Sequence, residues 1–115
     1  MVTGAGSGIG RAISLALAER GCAMALVDVN QNGLDETAAL INTHATTHIA
    51  DVSDPTRMSE LPAEVEAAHG SCNILVNNAG VTAAGRFEAD DLDLVRWITD
   101  INVWGVVHGC HYFLP

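Results

Sequence analysis

The chain has 115 residues, of which 49% are hydrophobic and 17% are charged, a composition that suits one small folded domain or a piece of one and disfavours disorder. Its formal net charge is −9, with five arginines and no lysine, and such a surface repels nucleic-acid phosphates. Its apolar runs are far shorter than the ~20 residues of a membrane span, and no signal peptide is evident. We therefore expect a cytoplasmic protein that binds neither nucleic acid nor membrane.

The first quarter of the chain alternates a strand pattern with a helix pattern. Residues 1–3 are predicted to be the tail of a strand, which a glycine-rich turn follows. Apolar residues at helical spacing predict a helix over 9–20, ended by Gly21. The apolar run 23–27 is typical of a strand buried on both faces, and it ends at Asp28.

The next segment repeats this alternation less clearly. Turn residues at 30–33 precede a short predicted helix over 34–42, and a weaker strand is predicted over 46–50. The Asp-Pro pair at 54–55 predicts the N-cap and first residue of another helix. Pro62 indicates that this helix starts late or kinks.

A fourth strand and a long last helix complete the pattern. The strand is predicted over 73–77, and the helix runs from about Asp90 to Leu114, with Asp90, Asp91 and Asp93 in its first turn. The order β-α-β-α-β-α-β-α predicts an α/β fold with an incomplete parallel sheet of about four strands joined by right-handed crossovers.

The glycine-rich turn is the strongest chemical signal. Its sequence is TGAGSGIG, residues 3–10, between a predicted strand and a predicted helix. Glycines permit a tight turn and let a pyrophosphate approach the helix N-terminus, where free N–H groups and the helix dipole supply positive potential. In this context the pattern predicts a dinucleotide-binding turn, and a ligand-free glycine loop is the alternative.

Asp28 is the second element of the predicted site. A carboxylate at the end of the second strand can accept hydrogen bonds from the adenosine ribose hydroxyls, and its charge repels a 2′-phosphate. NAD is therefore favoured over NADP. Arg11 complicates this prediction, because a cation near the turn could help to hold a 2′-phosphate. The alternative for Asp28 is an ordinary surface aspartate.

Taken together, these segments resemble the short-chain dehydrogenase/reductase family. The resemblance rests on T-G-x-x-x-G-x-G at 3–10, Asp-Val at 51–52, Asn-Asn-Ala-Gly at 77–80 and the stretch DINVWG at 100–105. These segments stand in the family's order and spacing, and the resemblance covers essentially the whole chain. It implies a Rossmann-type doubly wound sheet that binds a nicotinamide cofactor.

The resemblance also implies roles for individual residues. Ser7, Gly8 and Ile9 would line the phosphate and nicotinamide side of the cofactor, the Asp-Val pair at 51–52 would contact adenine, and Asn78 would lie beside the adenosine ribose. The predicted cofactor-binding residues are Gly4, Ser7, Gly8, Ile9, Gly10, Asp28, Asp51, Val52 and Asn78.

Asn102 is the predicted catalytic residue. Asparagine is costly in mid-helix, because its amide competes with the backbone for hydrogen bonds. In the family, the equivalent residue holds a helix irregularity that organises a water for proton relay. A purely structural asparagine is the alternative.

The residues that complete hydride transfer in the family are a serine and a Y-x-x-x-K pair, and this chain has no lysine. Its one tyrosine, Tyr112, is predicted to lie on the apolar face of the last helix. We therefore expect residues 1–115 to be a partial NAD(P)-binding domain, truncated at both ends and inactive alone. Its parent would be an oxidoreductase that interconverts an alcohol and a ketone. A non-catalytic NAD-binding module and a gene remnant are the alternatives.

Other patterns carry weaker predictions. Three widely spaced cysteines predict reduced thiols, and the segment HGCH at 108–111 lacks the ligands of a tetrahedral metal shell, so no metal is expected. His44, His48 and His69 are predicted to be scattered surface or loop residues. By resemblance, the last helix would form a homo-oligomer contact in the full-length enzyme. The particular alcohol or ketone substrate stays open.

Overall fold

The computed structural model describes residues 1–89 and 91–114, in which strands and helices alternate. The predicted Asp90 lies outside the described residues, and the rest of the alternation confirms the α/β fold. The elements are β1 (Val2–Thr3), α1 (Gly8–Glu19), β2 (Met24–Asp28), α2 (Gln31–Ala39), β3 (Ala45–Ile49), α3 (Pro55–His69), a 3₁₀ turn (Phe87–Ala89), α4 (Leu92–Thr99), a π-helical segment (Asp100–Trp104) and α5 (Gly105–Phe113). No helix among these is long and apolar enough to cross a membrane.

The sheet is parallel, with β2 between β1 and β3. The predicted fourth strand is wrong as a strand of this sheet, because segment 73–77 forms only one bridge, between Val2 and Val76. Its backbone still bonds to β1: the Thr3 N–H donates to the Val76 carbonyl at 3.0 Å, and the Val76 N–H donates to the Met1 carbonyl at 2.9 Å. Strand β1 has two residues, so it offers its neighbour too short a ladder for a regular strand.

Helices cover both faces of the sheet. Alternate side chains of β2 enter opposite layers, with Met24 and Leu26 packing towards α1 and α2, and Ala25 and Val27 packing towards α3 and α5. Each of these four residues is at most 3% exposed, which accounts for the apolar sequence of the strand up to Asp28. The doubly wound arrangement expected from the sequence is confirmed.

The boundaries of two helices match their sequence signals. Gly21 ends α1 with a φ of +86°; its N–H donates to the Ala18 carbonyl at 2.9 Å, and the Cys22 N–H donates to the Leu17 carbonyl at 3.2 Å. Asp54 caps α3 by accepting hydrogen bonds from the backbone N–H groups two and three residues later.

Two other boundaries differ from the prediction. Helix α2 begins at Gln31, not at residue 34, because the side chain of Asn30 accepts a hydrogen bond from the Gly33 N–H at 3.1 Å and caps the helix. The predicted turn at 30–33 is therefore mostly the first helical turn. Helix α3 begins at Pro55, so the expectation of a late start is wrong, and the helix continues through Pro62 to His69, with Met58, Leu61 and Val65 buried along one face.

The three histidines of the middle segment are not scattered. His48 and His69 both contact the Thr46 hydroxyl, at 2.8 and 2.6 Å, and His48 Nδ1 lies 2.9 Å from a Glu64 carboxylate oxygen. The rings of His44 and His69 lie 4.6 Å apart. Sequence spacing missed this cluster because its members come together only when α3 packs beside β3.

Charge and burial in this cluster shift two pKa values. Hydrogen bonds from Arg57 lower the pKa of Glu64 from 4.5 to about 2, and the bond to His48 adds to this effect. Burial lowers the pKa of the His69 imidazole below 6.5, and the neighbouring His44 and His48 lower it further. Within the described chain, His69 Nδ1 is buried without a hydrogen-bond partner, so a proton there would have no acceptor.

We therefore expect two steps in acid stability. Because the pKa of His69 is lower in the folded state, the unfolded state takes up its proton first, and stability falls as the pH drops below 6.5. Glu64 stabilises the fold above pH 4.5, and this contribution is lost as the pH falls towards about 2. The measurement is the midpoint of thermal unfolding of the protein as a function of pH. His69→Gln should flatten the first step and the exposed His111→Gln should not; equal pH profiles for both variants would contradict the assignment.

Candidate functional site

A cleft of about 490 Å³ opens at the carboxyl ends of the strands. Ligands of parallel α/β sheets bind at this edge, where the chain leaves the strands for the helices. The turn after β1, the end of β2, the loop after β3 and the Asn78–Val81 loop form most of the lining, and Trp97 and Ile101 form the remaining wall.

Most of the predicted site residues come together here. Eight of the nine predicted cofactor-binding residues line the cleft: Gly4, Ser7, Gly8, Ile9, Asp28, Asp51, Val52 and Asn78. Gly10 lies outside the lining, where α1 meets the turn, and Asn102 holds a loop that borders the cleft.

The glycine turn presents open backbone to the cleft. Gly4 and Gly8 have φ values of +66° and +54°, a region in which glycine is unstrained. A Cβ on Gly8 would meet nothing within 4 Å, so the space above the start of α1 is free. Ser7 is the N-cap residue of α1, but its side chain makes no capping bond. The first-turn N–H groups of α1 are therefore available to an anionic ligand.

Gly10 sets how closely α1 approaches the turn. A Cβ at this position would lie 2.0 Å from the Gly4 carbonyl oxygen and 2.6 Å from Asn78 Nδ2. No side chain fits there, so the glycine lets the helix N-terminus pack directly on the backbone of the turn.

Hydrogen bonds between Thr3 and Asn78 connect the start of the glycine turn to the Asn78–Val81 loop. The Thr3 hydroxyl accepts hydrogen bonds from the Asn78 and Ala79 N–H groups, each at 3.0 Å. The Asn78 side-chain amide donates to the carbonyls of Thr3 at 3.1 Å and Gly4 at 3.4 Å. Asn78 thus braces the glycine turn in addition to lining the cleft.

Asp28 is held in one orientation. One carboxylate oxygen accepts a hydrogen bond from the Gly6 N–H at 2.9 Å, and the other accepts one from the Asn30 N–H at 3.1 Å. Arg11, the nearby cation considered above, does not line the cleft. Its guanidinium instead donates to the Gly6 carbonyl at 2.6 Å and to the Glu36 carboxylate at 3.0 Å.

The loop after β3 is fixed from two sides. Asp51 accepts hydrogen bonds from the backbone and hydroxyl of Ser53, at 2.9 and 2.6 Å. Val52 is buried against Gly105, where a Cβ would lie 2.5 Å from the valine side chain, and its carbonyl lies 2.8 Å from His108 Nδ1.

His108 was missed as a site-supporting residue, because the sequence showed it only as part of a possible metal motif. Helical spacing alone does not reveal that its ring reaches the loop after β3. Within residues 1–89 and 91–114, no group of three or more His, Cys, Asp or Glu side chains could hold a metal ion.

Asn102 lies in the π-helical segment that separates α4 from α5. Its side-chain oxygen accepts a hydrogen bond from the Val81 N–H and its amide donates to the Val81 carbonyl, both at 2.8 Å. This pair of bonds offsets the local cost of a mid-helix asparagine and ties the helix irregularity to the cleft. Single-turn π-helical segments are frequent at functional sites.

Tyr112 lies away from the cleft. It packs on the core cluster of the α3 and α5 layer, with its ring 4.8 Å from that of His111. This contact confirms the prediction that it is a packing residue of the last helix.

Comparisons with known proteins agree with this geometry. The profile of the family described as short chain dehydrogenase matches residues 1–115. The chain is 39% identical to "Probable oxidoreductase EphD" of Mycobacterium tuberculosis, in a match that covers 97% of this chain and 19% of that protein. It is 32% identical to 1-deoxy-11-beta-hydroxypentalenate dehydrogenase of Streptomyces avermitilis, over 100% of this chain and 44% of that protein.

Solved structures show the same fold. A short chain dehydrogenase/reductase from Burkholderia phymatum, in complex with NAD, is 34% identical with a TM-score of 0.95, and the match covers 99% of this chain and 42% of that one. The chain thus spans less than half the length of each of these three relatives.

Proposed function

The chain belongs to the short-chain dehydrogenase family, and we propose that it forms the cofactor-binding part of a nicotinamide-dependent oxidoreductase acting on an alcohol or ketone. The observation that carries this proposal is the convergence in one cleft of eight predicted residues from four separate segments. Because the chain spans less than half of its relatives, the reaction of the whole protein is part of the proposal, as is the reading of residues 1–115 as a partial domain.

The turn fits the pyrophosphate of a dinucleotide. The space above Gly8 is open, whereas a Cβ on Gly4, which lines the cleft, would lie only 3.0 Å from the backbone of Ala79, so the backbone of the turn itself lines the cleft there. Together with Ser7 and Ile9, this backbone would receive the phosphates at the N-terminus of α1, where the helix dipole favours negative charge. This local potential is required because the protein carries a net charge of −9.

The other end of the cleft fits an adenosine. Asp28 has one backbone hydrogen bond on each carboxylate oxygen, so each oxygen keeps a lone pair for a ribose hydroxyl. Asp51 and Val52 would lie beside the adenine ring. Two features favour NAD over NADP. The Asp28 carboxylate would repel a 2′-phosphate, and Arg11 is hydrogen-bonded to the Gly6 carbonyl and does not line the cleft.

When bound, the nicotinamide ring accepts or donates a hydride. The residues of this chain would bind the cofactor and fix its orientation, and Asn102 would act at the catalytic end by holding the π-helical segment and a water for proton relay. The Y-x-x-x-K acid–base pair of the family is not among these 115 residues, so we propose that the chain alone is inactive.

The π-helical segment and α5, which together form the last part of the predicted long helix, are proposed to form a contact between subunits of the full-length enzyme. Trp104 is 52% exposed, Val103 is 53% exposed and Val107 is 43% exposed. Apolar side chains so exposed on one continuous helical stretch suit burial in an interface.

The charge of Asp28 tests the proposed site. In the full-length protein, Asp28→Ala should weaken NAD binding about 10- to 100-fold, because a hydrogen bond to a charged group contributes about 1.5–3 kcal/mol. NADP binding should weaken less or improve, since the repulsion of the 2′-phosphate is removed. Titration calorimetry with each dinucleotide measures both dissociation constants.

Asp35→Ala is the matched control, because it removes one negative charge from the exposed face of α2. It should leave both dissociation constants unchanged within about twofold. If the wild-type protein binds neither dinucleotide, or if Asp28→Ala binds NAD as the wild type does, the proposed site is wrong.

A further inference from the structure

A polar network connects the glycine turn to α2 beneath the ribose end of the cleft. Its centre is Arg11, which is on α1 and is about a quarter exposed. The guanidinium donates to the Gly6 carbonyl at 2.6 Å, to the Thr37 hydroxyl at 2.9 Å, to the Glu36 carboxylate at 3.0 Å and to the Gly33 carbonyl at 3.3 Å. Most of its donor capacity is therefore directed at α2 and the turn.

Thr37 forms the buried half of the network. Its side chain is 0% exposed, and its hydroxyl lies 2.8 Å from the Ala5 carbonyl and 3.1 Å from the Gly33 carbonyl while accepting the bond from Arg11. Buried polar groups of this kind are costly unless each is satisfied, so the network favours one arrangement of the turn.

The first turn of α2 also touches the glycine turn directly. A Cβ on Gly33 would lie 2.6 Å from the Gly6 carbonyl oxygen. Gly6 is therefore held on its carbonyl side by Arg11 and by α2. On its N–H side it donates to the Asp28 carboxylate at 2.9 Å.

Gly6 connects Arg11 to Asp28, because its carbonyl accepts from Arg11 and its N–H donates to the Asp28 carboxylate. We propose that Arg11 and Thr37 are positioning residues for cofactor specificity: they fix Gly6, which fixes the Asp28 carboxylate in the orientation that receives a ribose diol and excludes a 2′-phosphate. The inference rests on the proposed function, since it concerns the same cleft. In this proposal Arg11 favours NAD, whereas a direct attraction between its charge and the 2′-phosphate would favour NADP.

The two readings predict opposite changes in the ratio of the NADP and NAD dissociation constants. If Arg11 positions Asp28, Arg11→Met should raise the NAD dissociation constant about five- to tenfold, with little change for NADP. This loss is smaller than that expected for Asp28→Ala, because Arg11 does not line the cleft and acts only through Gly6. NAD preference then falls. If Arg11 instead attracts the 2′-phosphate, the variant should lose NADP affinity, and NAD preference should rise.

Thr37→Val distinguishes the positioning of Asp28 from an effect of the positive charge of Arg11. It keeps the arginine but removes the hydroxyl, so it should lower NAD preference in the same direction, and Thr37→Ser should restore the wild-type ratio. Arg20→Met removes a positive charge just beyond the other end of α1 and should leave the ratio unchanged. The Thr37 pair also tests the inference if Arg11→Met does not fold.

The experiment is titration calorimetry of NAD and NADP with the full-length protein and these variants. The expected result is a lower NAD preference than the wild type in Arg11→Met and in Thr37→Val. Thr37→Ser, which keeps the hydroxyl, is expected to show the wild-type preference. An unchanged or increased NAD preference would overturn the inference and leave the proposed function intact. A proportional loss of affinity for both cofactors would show a purely structural role and overturn it as well. Wild-type protein that binds neither cofactor would overturn both proposals.

Discussion

Gly10→Ala is expected to reduce the NAD affinity of the full-length protein by at least about 100-fold, the size of loss that follows when about two charge-assisted hydrogen bonds of about 1.5–3 kcal/mol each are broken. The added Cβ would lie 2.0 Å from the carbonyl oxygen of Gly4, which is backbone and cannot rotate away. Helix α1 must therefore move off the turn, and its N-terminus moves away from the phosphates. Overpacking of this kind also destabilises a fold by about 1–3 kcal/mol. Calorimetry and chemical denaturation measure the two effects.

Gly21→Ala is the matched control for this substitution. Gly21 ends the same helix with a φ of +86°, and a Cβ there would meet nothing within 4 Å. The alanine should cost about 1 kcal/mol of stability through backbone strain, with NAD affinity unchanged. Equal NAD affinities for Gly10→Ala and the wild type would contradict the close approach of α1 to the turn.

The 115-residue chain expressed alone is expected to associate or to bind NAD poorly, and to transfer no hydride. Segment 73–77 pairs with β1 at a single bridge, and Ile74 is 50% exposed. An exposed apolar segment beside the edge of a sheet favours association with other chains. Its tyrosine packs on the core away from the cleft, so it cannot serve as the acid–base group there.

Light scattering of the purified chain, NAD titration and nicotinamide absorbance with a panel of alcohols and ketones test this expectation. The full-length protein under the same conditions is the control. A monodisperse chain that binds NAD with micromolar affinity, or that turns over any of these compounds, would contradict the prediction.

Local sequence signals predicted most of the fold. The uninterrupted apolar run of β2 indicated burial on both faces, and the Asp-Pro pair before α3 marked a helix start that the structure confirms. The start of α2 was missed because Asn30 and Gly33 look like turn residues, although the asparagine side chain caps the helix by bonding to the Gly33 N–H. The late start expected from Pro62 does not occur, since burial of one face of α3 keeps the helix continuous from Pro55 to His69.

The cleft was largely predictable, because its residues lie at the ends of strands and in short motifs. What the sequence could not show were the contacts between distant segments that support it. Arg11 reaches α2 across more than 20 positions, His108 reaches the carbonyl of Val52, and Asn102 reaches the backbone of Val81. Such contacts depend on how helices pack, and no local pattern encodes them.

The most direct test of the central claim is a crystal structure of the full-length protein with NAD. The account predicts that the pyrophosphate lies over residues 7–9, that a ribose diol contacts Asp28, and that adenine lies beside Val52. Dinucleotide density outside the cleft, or within it but with the adenosine ribose away from Asp28, would contradict the account.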